Sequence, residues 1–158
     1  MNDLDEHFER RLDLEATPRE VWDWHMRPEA LAELTPSDRD VKITARDPEI
    51  APGSRVHLEI GLGPFRRRWV ALHDLVEAPH RFRDVQESGP FALWEHEHVF
   101  EARPDGGCTL VDRIRYRLPF GRLGRRIAGA FVRRDLERLV EFRHRVTAAA
   151  LGRQELAT

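Results

Sequence analysis

Lysine is almost missing from this sequence: Lys42 is the single one among 26 lysines and arginines. With no lysine cluster, and no recognition motif beside the arginines, the chain does not read as a nucleic-acid binder. Cysteine is as scarce. Cys108 stands alone, so no internal disulfide can form, and a reducing, cytoplasmic location is expected. Long apolar runs are absent as well; none approaches the ~20 residues that a membrane span needs. The first residues, MNDLDEHFERR, are acidic and lack the apolar core of a secretory signal. The formal net charge of −2 points to no polyelectrolyte partner.

What is present fits one soluble domain spanning residues 1–158. Of the 158 residues, 41% are hydrophobic and 34% charged, enough to close a core rather than stay disordered. Charge is unevenly spread. Residues 1–40 carry twelve acids and five arginines, and residues 119–153 carry nine arginines and three acids. These read as two solvated faces that attract weakly.

Alternation at Phe8, Leu12 and Leu14 predicts a strand over 7–15. TPRE follows: Thr17 as N-cap, Pro18 at the first helical position and Glu20 closing a capping box predict a helix to about Met26. Pro28 breaks it, and a second short helix is expected over 28–34. Strands are expected over 40–46, 56–62, 65–77, 81–87, 91–102 and 108–118, punctuated by Gly63-Pro64, Pro79, Gly89-Pro90 and the RPDGG turn at 103–107. A long helix over 122–150 follows from a stripe of Ala128, Val132, Leu136, Leu139, Val146 and Ala150. The class is α+β: an antiparallel sheet that must curl around one long helix.

The run LWEHEHVFE, residues 93–101, places His96 and His98 on one face of a strand and Glu95, Glu97 and Glu101 on the other. In the next strand Val111, Arg113, Arg115 and Arg117 share a face, which must be wet. Across a short turn the glutamates meet these arginines. Trp94, His96, His98 and Phe100 then lie inward, opposite Leu110, Asp112, Ile114 and Tyr116. The same parity extends to Phe82, Asp84 and Gln86, and to Trp69, Ala71 and His73. The interior would hold several polar groups among aromatics, and unpaired burial of so many would cost several kcal/mol.

The capped helix pair, the Gly89-Pro90-Phe91 turn, the run Trp94-x-His96-x-His98-x-Phe100, the Asp105-Gly106-Gly107 hairpin, the stretch LPFG at 118–121 and the arginine-rich final helix together resemble the START/SRPBCC superfamily. The likeness is greatest to its bacterial single-domain polyketide cyclase/dehydrase-like members. That resemblance implies the helix-grip fold: a curved seven-stranded antiparallel sheet around a long C-terminal helix, with two short helices after the first strand. It also implies a cavity between sheet and helix for a hydrophobic small molecule such as a lipid, polyketide or aromatic metabolite.

Four readings of the inward face stay open. Small-molecule binding would use Trp69, His73, Phe82, Asp84, Gln86, Trp94, His96, His98, Phe100, Asp112 and Tyr116. Catalysis of the cyclase, dehydratase or hydrolase kind would use His96, His98 and Asp112 as acid–base groups. Metal binding would pair the HxH imidazoles with His73, Asp84 or Asp112; no ion and no cofactor is expected, because the carboxylates can satisfy the histidines. A purely structural hydrogen-bonded network is the fourth. His7, His25, His57, His80 and His144 have no such context and read as surface or packing residues. The arginines of the last helix read as its solvated side, with those near its start able to meet an anionic headgroup or lipid surface. A monomer or homodimer is expected.

Overall fold

The computed structural model describes residues 3–62 and 64–152. The chain runs β1 (Glu6–Leu14), α1 (Pro18–His25), α2 (Ala30–Glu33), β2 (Val41–Arg46), β3 (Arg55–Leu62), β4 (Phe65–Glu77), β5 (Arg81–Ser88), β6 (Leu93–Ala102), β7 (Cys108–Arg117) and α3 (Gly121–Leu151). The strands form one seven-stranded sheet in the order β1-β7-β6-β5-β4-β3-β2, antiparallel throughout. This is the expected helix-grip arrangement. Among the described residues no helix is long and apolar enough to cross a membrane.

Local chemistry accounts for the entry into α1. Thr17 Oγ1 accepts from the Glu20 amide at 3.3 Å, and the Glu20 carboxylate accepts from the Thr17 amide at 2.7 Å. The reciprocal cap satisfies two otherwise orphaned donors, and Pro18 needs none. Trp22 then drops edge-on against Phe82 and Phe100, with ring centres 5.9 and 5.5 Å away.

The concave side holds two apolar clusters. One gathers Leu14, Val21, Trp22, Phe82, Phe100 and Leu110, with Ala148 and Leu151 of α3 packed against it. The other gathers Phe8, Trp94, Ile114, Tyr116, Leu136 and Val140, with Trp69 and Phe91 at its edge. On β6 the first cluster owns Phe100 and the second Trp94; on β7 they own Leu110 and Ile114. What lies between them, His96, His98 and Asp112, is a polar layer between two apolar ones.

The β6–β7 register is unshifted, pairing Glu95 with Arg115, Glu97 with Arg113 and His98 with Asp112. Parity therefore holds as expected. On the convex side Arg113 meets Glu9 at 3.0 Å, and Arg115 meets Asp5 at 2.9 Å and Glu95 at 3.2 Å. The solvent-facing pairs of Arg113–Glu9 and Arg115–Glu95 each contribute about 0–1 kcal/mol, so they report orientation more than stability.

Two expectations need correction. Val111 shares the arginine face yet is fully buried, because that face is dry between its cross-strand neighbours Arg11 and Val99. Long arginine side chains cover apolar surface with their stems. On α3, Ala150 is exposed, and the buried line runs instead through Leu136, Val140 and Thr147.

Candidate functional site

Asp112 sits at the centre of the polar layer. Asp112, His96 and His98 are 3%, 2% and 7% exposed, so all three point inward as the alternation requires. The Asp112 carboxylate has an imidazole on each oxygen: His96 Nε2 lies 2.8 Å from Oδ1 and His144 Nε2 lies 2.6 Å from Oδ2. His98 Nδ1 is 2.9 Å from Oδ1, but among the described residues this nitrogen makes no hydrogen bond. Burial opposes the charge on Asp112, yet the surrounding imidazoles outweigh it and hold the carboxyl well below the usual range. His98 is also lowered, to about 4, by burial and the nearby His96, which favours its neutral form.

These directions assign protons. An ionised carboxylate only accepts, so the Nε2 atoms of His96 and His144 carry hydrogen and donate. His96 Nδ1 faces Asp84 Oδ1 at 3.8 Å, and Asp84 accepts from Trp94 Nε1 at 3.4 Å.

His144 overturns the surface-or-packing reading given to it. It occupies the α3 position one turn after Val140 and one turn before Ala148, which pack against the two apolar clusters. The signal was present in that i, i+4 spacing, but a stripe built from apolar residues alone passes over it. Arg143 is corrected with it. Rather than lying on a solvated side, it donates Nε–H to the Leu34 carbonyl at 3.2 Å. Burial lowers its pKa against the pull of Asp112 and Asp84. His25 is a packing residue, held by the Val21 carbonyl at 2.8 Å and brought down to about 4 by burial.

The other expected site residues divide. Phe82 stacks on His98 with centres 4.4 Å apart, Phe100 lies beside Phe82 at 6.0 Å, and His96 and His98 are 4.0 Å apart. Trp94 links this group to Trp69 at 5.0 Å and to Tyr116 at 6.5 Å. His73 lies beside Phe82, ring centres 6.1 Å apart, but its Nδ1 is 3.0 Å from Ser54 Oγ in the loop before β3. Gln86 bonds both backbone groups of Phe91, at 2.8 and 3.1 Å, and so braces the β5–β6 turn. Asp84, His96 and His98 each offer a ligand atom within 4.8 Å of the others, and could hold a divalent cation. Burial pushes the Cys108 thiol up to about 11, so it is no nucleophile at neutral pH.

Among the described residues two buried side-chain nitrogens make no hydrogen bond, Trp69 Nε1 and His98 Nδ1. A concavity of about 310 Å³ lies elsewhere, among the paired charges of Glu9, Glu95, Glu97, Arg83, Arg113 and Arg115 on the convex side.

The fold has many relatives of known structure. TTHA0849 from Thermus thermophilus aligns with 92% of this chain and 98% of its own, at 21% identity and a TM-score of 0.64. Norcoclaurine synthase from Thalictrum flavum, in complex with dopamine and hydroxybenzaldehyde, aligns with 96% of this chain and 89% of its own, at 12% identity and a TM-score of 0.71. Ara h 8.0201 aligns with 93% and 97%, at 10% identity and a TM-score of 0.66. Comparison with curated proteins returned no match. The family model described as polyketide cyclase/dehydrase and lipid transport matches residues 14–143, most of the sheet and nearly all of the site, and the chain belongs to that family.

Proposed function

We propose that the chain binds a hydrophobic small molecule between the sheet and α3, and that the Asp112 cluster orients its polar end. The observation that supports this reading is a buried polar layer, His96, His98 and Asp112, between two apolar clusters, with two buried nitrogens that make no hydrogen bond among the described residues: His98 Nδ1 in the layer and Trp69 Nε1 at the edge of the second cluster. Each unsatisfied buried group costs about 1–3 kcal/mol, a cost that an oxygen-bearing guest would remove. Trp69, Phe82, Trp94, Phe100 and Tyr116 supply the apolar lining, which suits a lipid, a polyketide or an aromatic metabolite. Norcoclaurine synthase shows that a protein of this fold can hold small aromatic molecules.

One observation favours chemistry as a second reading. Asp112 engages both His96 and His144 through their Nε2 atoms, which turns the Nδ1 of each away from the carboxylate. A carboxylate that sets an imidazole's tautomer is the usual support for a general base, as cyclisation, dehydration or hydrolysis would need.

Displacement of anilinonaphthalenesulfonate fluorescence by long-chain fatty acids and aromatic aldehydes tests the binding reading. His96→Ala and Asp112→Asn should weaken displacement more than they lower the melting temperature. If both variants lose stability and keep full binding, the cluster is structural.

A further inference from the structure

Most arginines among the described residues have a partner. Most pair with carboxylates; Arg10 lies over the Phe8 ring, Arg46 donates to the Pro28 carbonyl and Arg143 to the Leu34 carbonyl. Among the described residues, five have none: Arg67, Arg68, Arg126, Arg134 and Arg138. The large hydrophobic side chains left exposed are also few: Phe65 at 72%, Phe120 at 86%, Leu123 at 62%, Ile127 at 75% and Phe131 at 74%. Both sets fall on the same two segments, 65–68 and 120–138.

On α3 the pattern has helical order. Leu123, Ile127 and Phe131 follow one another at i, i+4 and i+8, so they form one outward stripe about 12 Å long. Arg134 and Arg138 continue it, and Arg126 flanks it. Phe120, with a left-handed φ of 64°, stands at its head. Leu118, Phe120, Leu123 and Ile127 line an apolar groove of about 250 Å³ there. The acids on this stretch are already engaged: Asp135 holds Arg39 at 2.7 Å and Glu137 meets Arg133 at 3.5 Å.

We propose that this face of α3 docks on an anionic phospholipid surface. Exposed apolar side chains require an apolar medium, and unpartnered guanidinium groups require anions at the edge of that medium. A bilayer of acidic phospholipids supplies both, with acyl chains for Leu123, Ile127 and Phe131 and phosphates for Arg126, Arg134 and Arg138. A second copy of the chain is the poorer fit, because the acids of this stretch are already engaged and a self-paired face brings the arginines no anion. The inference is independent of what the interior binds.

The test is flotation of the full chain with phosphatidylcholine vesicles, with and without phosphatidylglycerol. Wild type should float with the acidic vesicles at low salt and not with phosphatidylcholine alone, and salt should partly release it. The Arg126→Gln/Arg134→Gln/Arg138→Gln variant should bind about a hundredfold more weakly, roughly fivefold per arginine. Ile127→Ser/Phe131→Ser should lose the binding that survives salt. All five positions are exposed, so melting temperatures should match wild type. The proposal is overturned if wild type does not float, or if both variants float as wild type does. It is also overturned if Ile127→Ser/Phe131→Ser instead dissolves a dimer in lipid-free buffer while flotation persists, which would make the stripe a self-contact.

Discussion

His144 Nε2 stands 2.6 Å from Asp112 Oδ2, so the long helix and the sheet meet through one buried carboxylate. The other oxygen takes His96 of the neighbouring strand at 2.8 Å. Any slide of α3 along the sheet breaks a charge-assisted hydrogen bond, a class that contributes about 1.5–3 kcal/mol. Apolar packing on either side tolerates small shifts better than this directional contact does. The pair therefore sets where the helix sits on the sheet.

Asp112→Asn keeps the shape but replaces one accepting oxygen with an NH2 group facing an imidazole N–H. The expected loss is about 1–3 kcal/mol in urea unfolding. His144→Gln should be non-additive with it, with a coupling of roughly 0.5–3 kcal/mol in a double-mutant cycle. Additive losses would show that the two residues do not act together.

Acid should destabilise the protein before its carboxylates titrate. His25 and His98 are held near 4 by burial, below their ordinary 6.5. Between those values the unfolded chain takes up protons that the folded chain refuses, so stability falls as pH drops through this window. Each histidine adds a slope of at most about 1.4 kcal/mol per pH unit. Asp112 lies outside the window: its lowered pKa gives stability that is lost only as pH falls through that low value. Urea midpoints from pH 7.5 to pH 4 check the slope, and His98→Phe should remove one proton of it. A flat profile would mean that both imidazoles titrate in the fold as they do in the unfolded chain.

No stoichiometric metal ion is expected in the untagged protein. Asp84, His96 and His98 have the chemistry for one, but Asp112 lies within 2.9 Å of both imidazoles and already serves the Nε2 of His96. Elemental analysis decides the point. One equivalent of zinc, nickel or iron would make those three residues ligands and Asp112 their support.

The order of elements was legible because each boundary carries its own chemistry, from the Thr17–Glu20 cap to the glycine turns. The facing of His96, His98 and Asp112 was legible from one hairpin, since the glutamates and arginines opposite leave a single consistent parity. His144 and Arg143 were not. They belong to a helix whose other arginines are mostly solvated, and only the tertiary placement of Val140 and Ala148 shows that the turn between them faces inward. Val111 failed for a related reason: parity gives a side chain's face, but not whether its neighbours' stems dry that face. His73 and Gln86 lie on the expected side, yet their nearest partners, Ser54 and Phe91, come from loops that no strand pattern indicates.

Native mass spectrometry of protein purified without a tag tests the central claim most directly. Wild type should carry an apolar small molecule that is released on mild activation, and Asp112→Asn, still folded by its melting transition, should carry markedly less of it. Equal occupancy in wild type and Asp112→Asn would contradict the assignment of the Asp112 cluster as the group that orients the ligand.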